Sequence, residues 1–131
     1  MKIKILLLLL LFSFLFCETE LTSIPYEEEI KEGIVVVEYW AHWNIENRVV
    51  FIYGLKNAKI LDVSTCDNPD LQTKNGVIVV PTIIFYDNGV EYKRLQGDLS
   101  FKLKTTYEEL QKIIDDRLMI NQEKKNGEEI R

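Results

Sequence analysis

"VPTIIFYDNGVEYKRLQ", residues 80–96, decides the fold of this chain. Two runs rich in β-branched and aromatic residues flank Asn88-Gly89, a dipeptide suited to the two positive φ angles of a type I′ turn. The stretch therefore predicts a β-hairpin. Toward the N-terminus, "NPDLQTKNG" (68–76) opens with a proline fit for a first helical turn and stops at a glycine, so it reads as a short helix. "AKILDVS" (58–64) and "IVVVEYW" (34–40) read as strands. The second is apolar except at Glu38, which suits a strand buried on both faces.

"NIENRVVFIYGLKN" (44–57) is ambiguous, because "RVVFIY" alone would pass for a strand. Asn44 as an N-cap, with Glu46 in the first turn, favours a helix. "IPYEEEIKEG" (24–33) predicts a short helix closed by Gly33. Beyond the hairpin, "TTYEELQKIIDDRLMI" (105–120) places Tyr107, Leu110, Ile113, Ile114 and Leu118 on one stripe of a helix capped by Thr105 or Thr106. Helices alternating with strands, then a hairpin and a last helix, predict an α/β domain. Its mixed sheet would have about four to five strands, with helices on both faces.

The 131 residues hold one small domain. Lys2 and Lys4 precede an unbroken apolar run from Ile5 to Cys17 apart from Ser13, the pattern of a secretory signal in 1–17 and too short to span a bilayer comfortably. Cys17 stands where a lipoprotein cysteine would, although Phe16 before it is bulky. Cutting after Cys17 is the other expectation. A linker (18–25), the domain (26–121) and a flexible charged tail (122–131) follow. Export is thus expected, with the membrane involved only through a lipid anchor at Cys17. Without Lys2 and Lys4, 14 basic residues face 21 acidic ones, a net charge of −7. With no basic stripe, nucleic acid is an unsuitable partner. Cys17 and Cys66 are the only thiols, so no disulfide framework supports the fold.

The order of elements, with "EYWAHW" (38–43) before the second helix and "VPT" (80–82) at the hairpin, resembles thioredoxin. The intervals Pro69–Pro81, Pro81–Gly89 and Gly89–Gly97 are also similar to the family's, and the likeness covers roughly residues 26–118. It implies the thioredoxin fold and a cis-proline at Pro81. It also implies a peptide-pairing edge of Trp43, Val80, Pro81 and Thr82, and a buried acid at Glu38. The likeness puts Asn44 and Asn47 where the family carries its two reactive cysteines, and "FKLKTT" (101–106) reads as an insertion.

Dithiol exchange needs an attacking thiolate and a resolving thiol. A carboxamide supplies neither, so no catalytic residue, cofactor or metal is expected, and the resemblance points to a protein or extended peptide as partner. A second reading keeps thiol chemistry through Cys66 or a partner's cysteine. Against it stands Cys66 as a buried, inert small hydrophobe. Glu38 would be a remnant, protonated or paired with a lysine, and His42, the only histidine, a surface loop residue.

Overall fold

The computed structural model describes residues 25–131. The signal, Cys17 and most of the linker lie outside the described residues. Helix α1 (Tyr26–Glu29) leads through Gly33, at φ +69°, into strand β1 (Ile34–Trp40). Two short 3-10 segments, His42–Asn47 and Val50–Gly54, connect it to β2 (Lys59–Ser64). Helix α2 (Pro69–Lys74), with proline in its first turn, precedes the hairpin β3 (Thr82–Asp87) and β4 (Val90–Gln96). Helix α3 (Tyr107–Glu129) closes the chain.

The sheet has four strands in the order β2-β1-β3-β4, with β1 and β2 parallel and the other pairs antiparallel. Central β1 is buried on both sides, as its apolar run requires. Val36, Ile83 and Phe85 face one way, onto Ile52 of the second 3-10 segment, Leu55 just after it, and Leu110 and Ile114 of α3. Tyr107, Ile113 and Leu118 pack around that core, completing the predicted stripe. Val35, Val37, Ile84 and Tyr86 face the other way, beneath Ile30 and Val77. There Tyr39 Oη donates to Tyr26 Oη at 2.8 Å, which donates to Tyr86 Oη at 3.0 Å. Burial pushes the phenols of Tyr26 and Tyr39 well above the usual tyrosine range.

Both ends of α3 are informative. Thr106 is the N-cap: its hydroxyl accepts from Glu109 N while Glu109 Oε2 accepts from Thr106 N, a complete capping box. The helix then runs to Glu129, through most of the stretch expected as a flexible tail. Glu, Gln and Lys dominate that stretch and are good helix formers, so the backbone continues although little packs against it.

The segment after β1 differs from expectation. It is not one helix capped by Asn44. Asn44 lies inside the first 3-10 segment at φ −120°, ψ 24°, the cap position belongs to Ala41, and no side chain caps it. The break has a physical cause. Val49 N donates to Glu38 Oε1 at 2.7 Å, so this amide is spent on a buried carboxylate and not on a helical carbonyl. Arg48 is held extended at φ −61°, ψ 146° as it reaches the same group.

Candidate functional site

The C-terminal end of β1 delivers three loops to one place: residues 41–48, the segment before β3, and the turn after β4. Glu38, fully buried, anchors them from below. Arg48 Nη2 and Nε reach its Oε2 at 2.9 and 3.2 Å, and with Val49 N the carboxylate accepts three hydrogen bonds. Its partner is therefore an arginine, not the lysine expected. Arg48 also lies 4.3 Å over the Trp40 ring and donates to Tyr53 Oη at 3.0 Å. Tyr53 Oη and Trp40 Nε1 both donate to Asp62 on β2. Burial is the largest single influence and works against the Arg48 charge, but the hydrogen bonds and charges of Glu38 and Tyr53 together outweigh it, holding the guanidinium above its ordinary value.

Above the ion pair, Asn44 is buried and acts as a hub. Its Nδ2 donates to Val80 O at 3.3 Å and to Phe101 O at 3.0 Å, and its Oδ1 accepts from Asn47 Nδ2 at 2.6 Å. The Val80–Pro81 bond is cis, and Pro81 O accepts from Gly97 N at 2.8 Å. A Cβ at Gly97 would sit 3.0 Å from that oxygen, so a side chain there would require the backbone to shift by a few tenths of an ångström. Thr82, predicted to meet a peptide, is fully buried, and its Oγ1 donates to Val79 O at 2.6 Å. Val80 is also buried, so its contribution is confined to backbone groups.

Trp43 is 64 % exposed and packs edge-on against Phe101, ring centroids 5.0 Å apart. The two rings form one wall of a groove of about 230 Å³ whose other lining includes Ile78, Val80, Thr65 and Cys66. Ile78 stands 82 % exposed on its rim. Cys66, expected as a buried thiol, is exposed in this groove, because β2 ends at Ser64 and the chain turns outward before α2. His42 is exposed as predicted. Its Nε2 lies 3.0 Å from Asp67 Oδ2, and that contact holds the Asp67 carboxyl below its usual range.

Two contributors escaped the sequence: Ile78, hidden in an ordinary apolar run, and Phe101, inside an insertion read only as a whole. Arg48 was legible in principle, since a buried acid demands a cation nearby. A larger concavity, of about 680 Å³, lies between Asn88 and the last turns of α3. It is open and polar, lined by asparagines, lysines and a glutamate, and it shares no residue with the loops described. Among the described residues no group of three His, Cys, Asp or Glu side chains is placed to hold a metal ion. No helix among them is long and apolar enough to cross a membrane.

The family model described as Thioredoxin matches residues 18–116. The chain is 30% identical over 87 residues to thioredoxin of Mycoplasma genitalium, covering 60% of this chain and 85% of that one. It is 26% identical over 85 residues to thioredoxin of Listeria monocytogenes, covering 60% and 82%. Among solved structures it is similar to a mutant thioredoxin from Halobacterium salinarum, with a TM-score of 0.56 at 16% identity over 67% of this chain and 77% of that one. It is also similar to the oxidised thioredoxin of Plasmodium falciparum, with a TM-score of 0.53 at 16% identity over 73% and 92%.

Proposed function

The chain belongs to the thioredoxin family, and from that premise we propose that it is an exported member without dithiol–disulfide exchange that works as a binding module for protein or extended peptide. The observation that carries the reading is the groove beside Trp43. An indole 64 % exposed and an isoleucine 82 % exposed flank it, in a chain whose only cysteine after residue 17 is Cys66. Large apolar side chains left in water at a concave site favour a partner that covers them, and tryptophan is a common binding hot spot. The absence of a Cys-x-x-Cys pair from the sequence supports the loss of redox chemistry. Export rests on the basic start and apolar run of residues 1–17, and a lipid anchor at Cys17 would attach the module to a membrane surface.

The test has two arms. The purified protein should not accelerate reduction of a protein disulfide above the rate set by the reductant alone. Turnover that survives alkylation of Cys66 would sink the claim of inactivity. Partner capture from the exporting cell's envelope should fall severalfold for Trp43→Ala and for Ile78→Asp, both at exposed positions where the fold survives substitution. Unchanged capture by both variants refutes the groove. Sequencing the N-terminus of the exported protein decides between cleavage after Cys17 and an acylated Cys17.

One observation favours a second reading, thiol exchange through Cys66. The thiol is exposed in the groove itself. Its thiolate would attack a partner's disulfide, forming a mixed disulfide and releasing the partner's other sulfur as thiolate. Rapid labelling of Cys66 below neutral pH favours this reading, and labelling at the rate of an ordinary exposed thiol excludes it.

A further inference from the structure

We propose that residues 97–104 are a strap docked on the chain's own Val80 edge, with the Asn44 carboxamide as its latch. This rests on the binding reading above and names what regulates that site. The Asn44 Nδ2 group has two hydrogens and meets two backbone acceptors, Val80 O in the segment before β3 and Phe101 O in the strap. Both partners are carbonyls, so only the amide orientation with Nδ2 facing them satisfies the site. Asn47 fixes that orientation by donating to Oδ1. One side chain thus ties the two segments at Val80 and Phe101, beyond the bond from Gly97 N to Pro81 O at the strap's start.

The strap is ordered but not relaxed. Asp98 organises it: its Oδ1 accepts from Ser100 N at 2.8 Å and Lys102 N at 3.3 Å, and its backbone pairs with Phe101 N and Lys102 O. Phe101 sits at φ +59°, a conformation a bulky side chain adopts only when its surroundings hold it. What holds it is the bond from its own N to Asp98 O, the hydrogen bond from Asn44 and the edge-on contact with Trp43. Cutting the latch removes one of these restraints, and the backbone strain at Phe101 then favours release of the strap.

The closed, latched state occupies the groups a peptide would use. An extended chain adding to this edge needs backbone acceptors, and Val80 O is engaged by the Asn44 amide while Pro81 O is engaged by Gly97 N of the strap. The Phe101 ring covers part of the Trp43 indole, the main apolar anchor. Peptide therefore binds the fraction of molecules with the strap open, and the apparent affinity is reduced by that fraction.

The experiment measures two things on the purified protein and on Asn44→Ala and Asp98→Ala. One is hydrogen exchange at the Phe101 and Lys102 amides. The other is binding of reduced, carboxymethylated lysozyme, an unfolded chain without free thiols. Asp98→Ala loosens the strap from within and leaves Asn44 and the core untouched, so it keeps the test alive if Asn44→Ala fails to fold. Both variants should exchange about tenfold faster at these amides, the loss of roughly one hydrogen bond, and both should bind the probe more tightly. Unchanged exchange in Asn44→Ala overturns the latch, because Asp98→Ala removes a direct acceptor of the Lys102 amide and speeds exchange there with or without the latch. Faster exchange with weaker binding overturns the strap as a cover, because it would then be part of the binding wall. Faster exchange with no probe bound by any form leaves the latched strap standing and refutes the peptide-binding reading.

Discussion

The two ends of β1 are held by different means. At its start, Gly33 N donates to Asn88 Oδ1 at 2.9 Å and Asn88 N returns a bond to Gly33 O at 3.0 Å. Asn88 and Gly89 take φ of +49° and +83°, so the hairpin turn and the entry to β1 are fixed by backbone geometry between near neighbours in the sheet. At its other end the chain enters a 3-10 segment broken by the non-helical backbone of Asn44. An ion pair beneath joins Glu38 to Arg48, and an asparagine side chain above reaches the carbonyls of Val80 and Phe101. The first end is stable because its residues prefer that backbone. The second is stable because buried polar groups have no alternative partners.

That contrast ranks what substitutions should do. The largest effect is expected at Arg48. Arg48→Ala strands a fully buried carboxylate and should cost about 3–5 kcal/mol in equilibrium denaturation. Pairing Arg48→Met with Glu38→Gln should recover much of the loss, since the uncompensated charge goes with it. If Arg48→Ala costs under about 1 kcal/mol, typical of an exposed pair, the ion pair is not what holds this end.

Next comes Asn44. Asn44→Ala leaves Val80 O and Phe101 O without their donor and should cost about 1–3 kcal/mol. Asn44→Asp should be at least as damaging, because a carboxylate cannot donate and would face two carbonyl oxygens. A helix cap would behave oppositely, tolerating aspartate near the positive end of the helix. Urea midpoints for the pair of variants therefore separate hub from cap.

At the opposite end, Gly89→Ala should cost roughly 1–2 kcal/mol, the penalty for a side chain in the left-handed region. Nothing crowds the position beyond ordinary contact, so backbone conformation alone sets the effect. A loss as large as that of Arg48→Ala would erase the distinction between the two ends.

The same distinction explains what could be read from the chain. Asn88-Gly89, Pro69 before Gly76, and the apolar stripe of α3 are local signals; the hairpin and α2 lie where they put them, and α3 starts there but runs on to Glu129. Glu38 was visible as an anomaly in an apolar strand, and its burial followed. The helix expected over 44–57 failed because its amide at Val49 bonds to Glu38, a contact no local pattern encodes. Asn44 has the composition of a cap and the job of a hub, and only the approach of Val80 and Phe101 tells them apart. Thr82 and Cys66 went wrong for a related reason. Whether a side chain at a strand end meets solvent depends on which loop lies over it.

The smallest effect should come from Asn47, and it asks whether the hub acts as a unit. Asn47 Nδ2 donates to Asn44 Oδ1 at 2.6 Å, yet Asn47 is only half-buried, so water can reach the oxygen once the amide is gone. Asn47→Ala should then cost about 0.5–1 kcal/mol, the net value of one neutral hydrogen bond that solvent can replace. Its second role, fixing which way the Asn44 amide faces, matters only while Asn44 is present. In an Asn44→Ala background the same substitution should cost close to nothing, so the double-mutant cycle should return a coupling about as large as the single effect. Equal costs in both backgrounds would mean that the two asparagines are independent. The loop end would then be a sum of separate contacts, and its difference from the hairpin end one of degree.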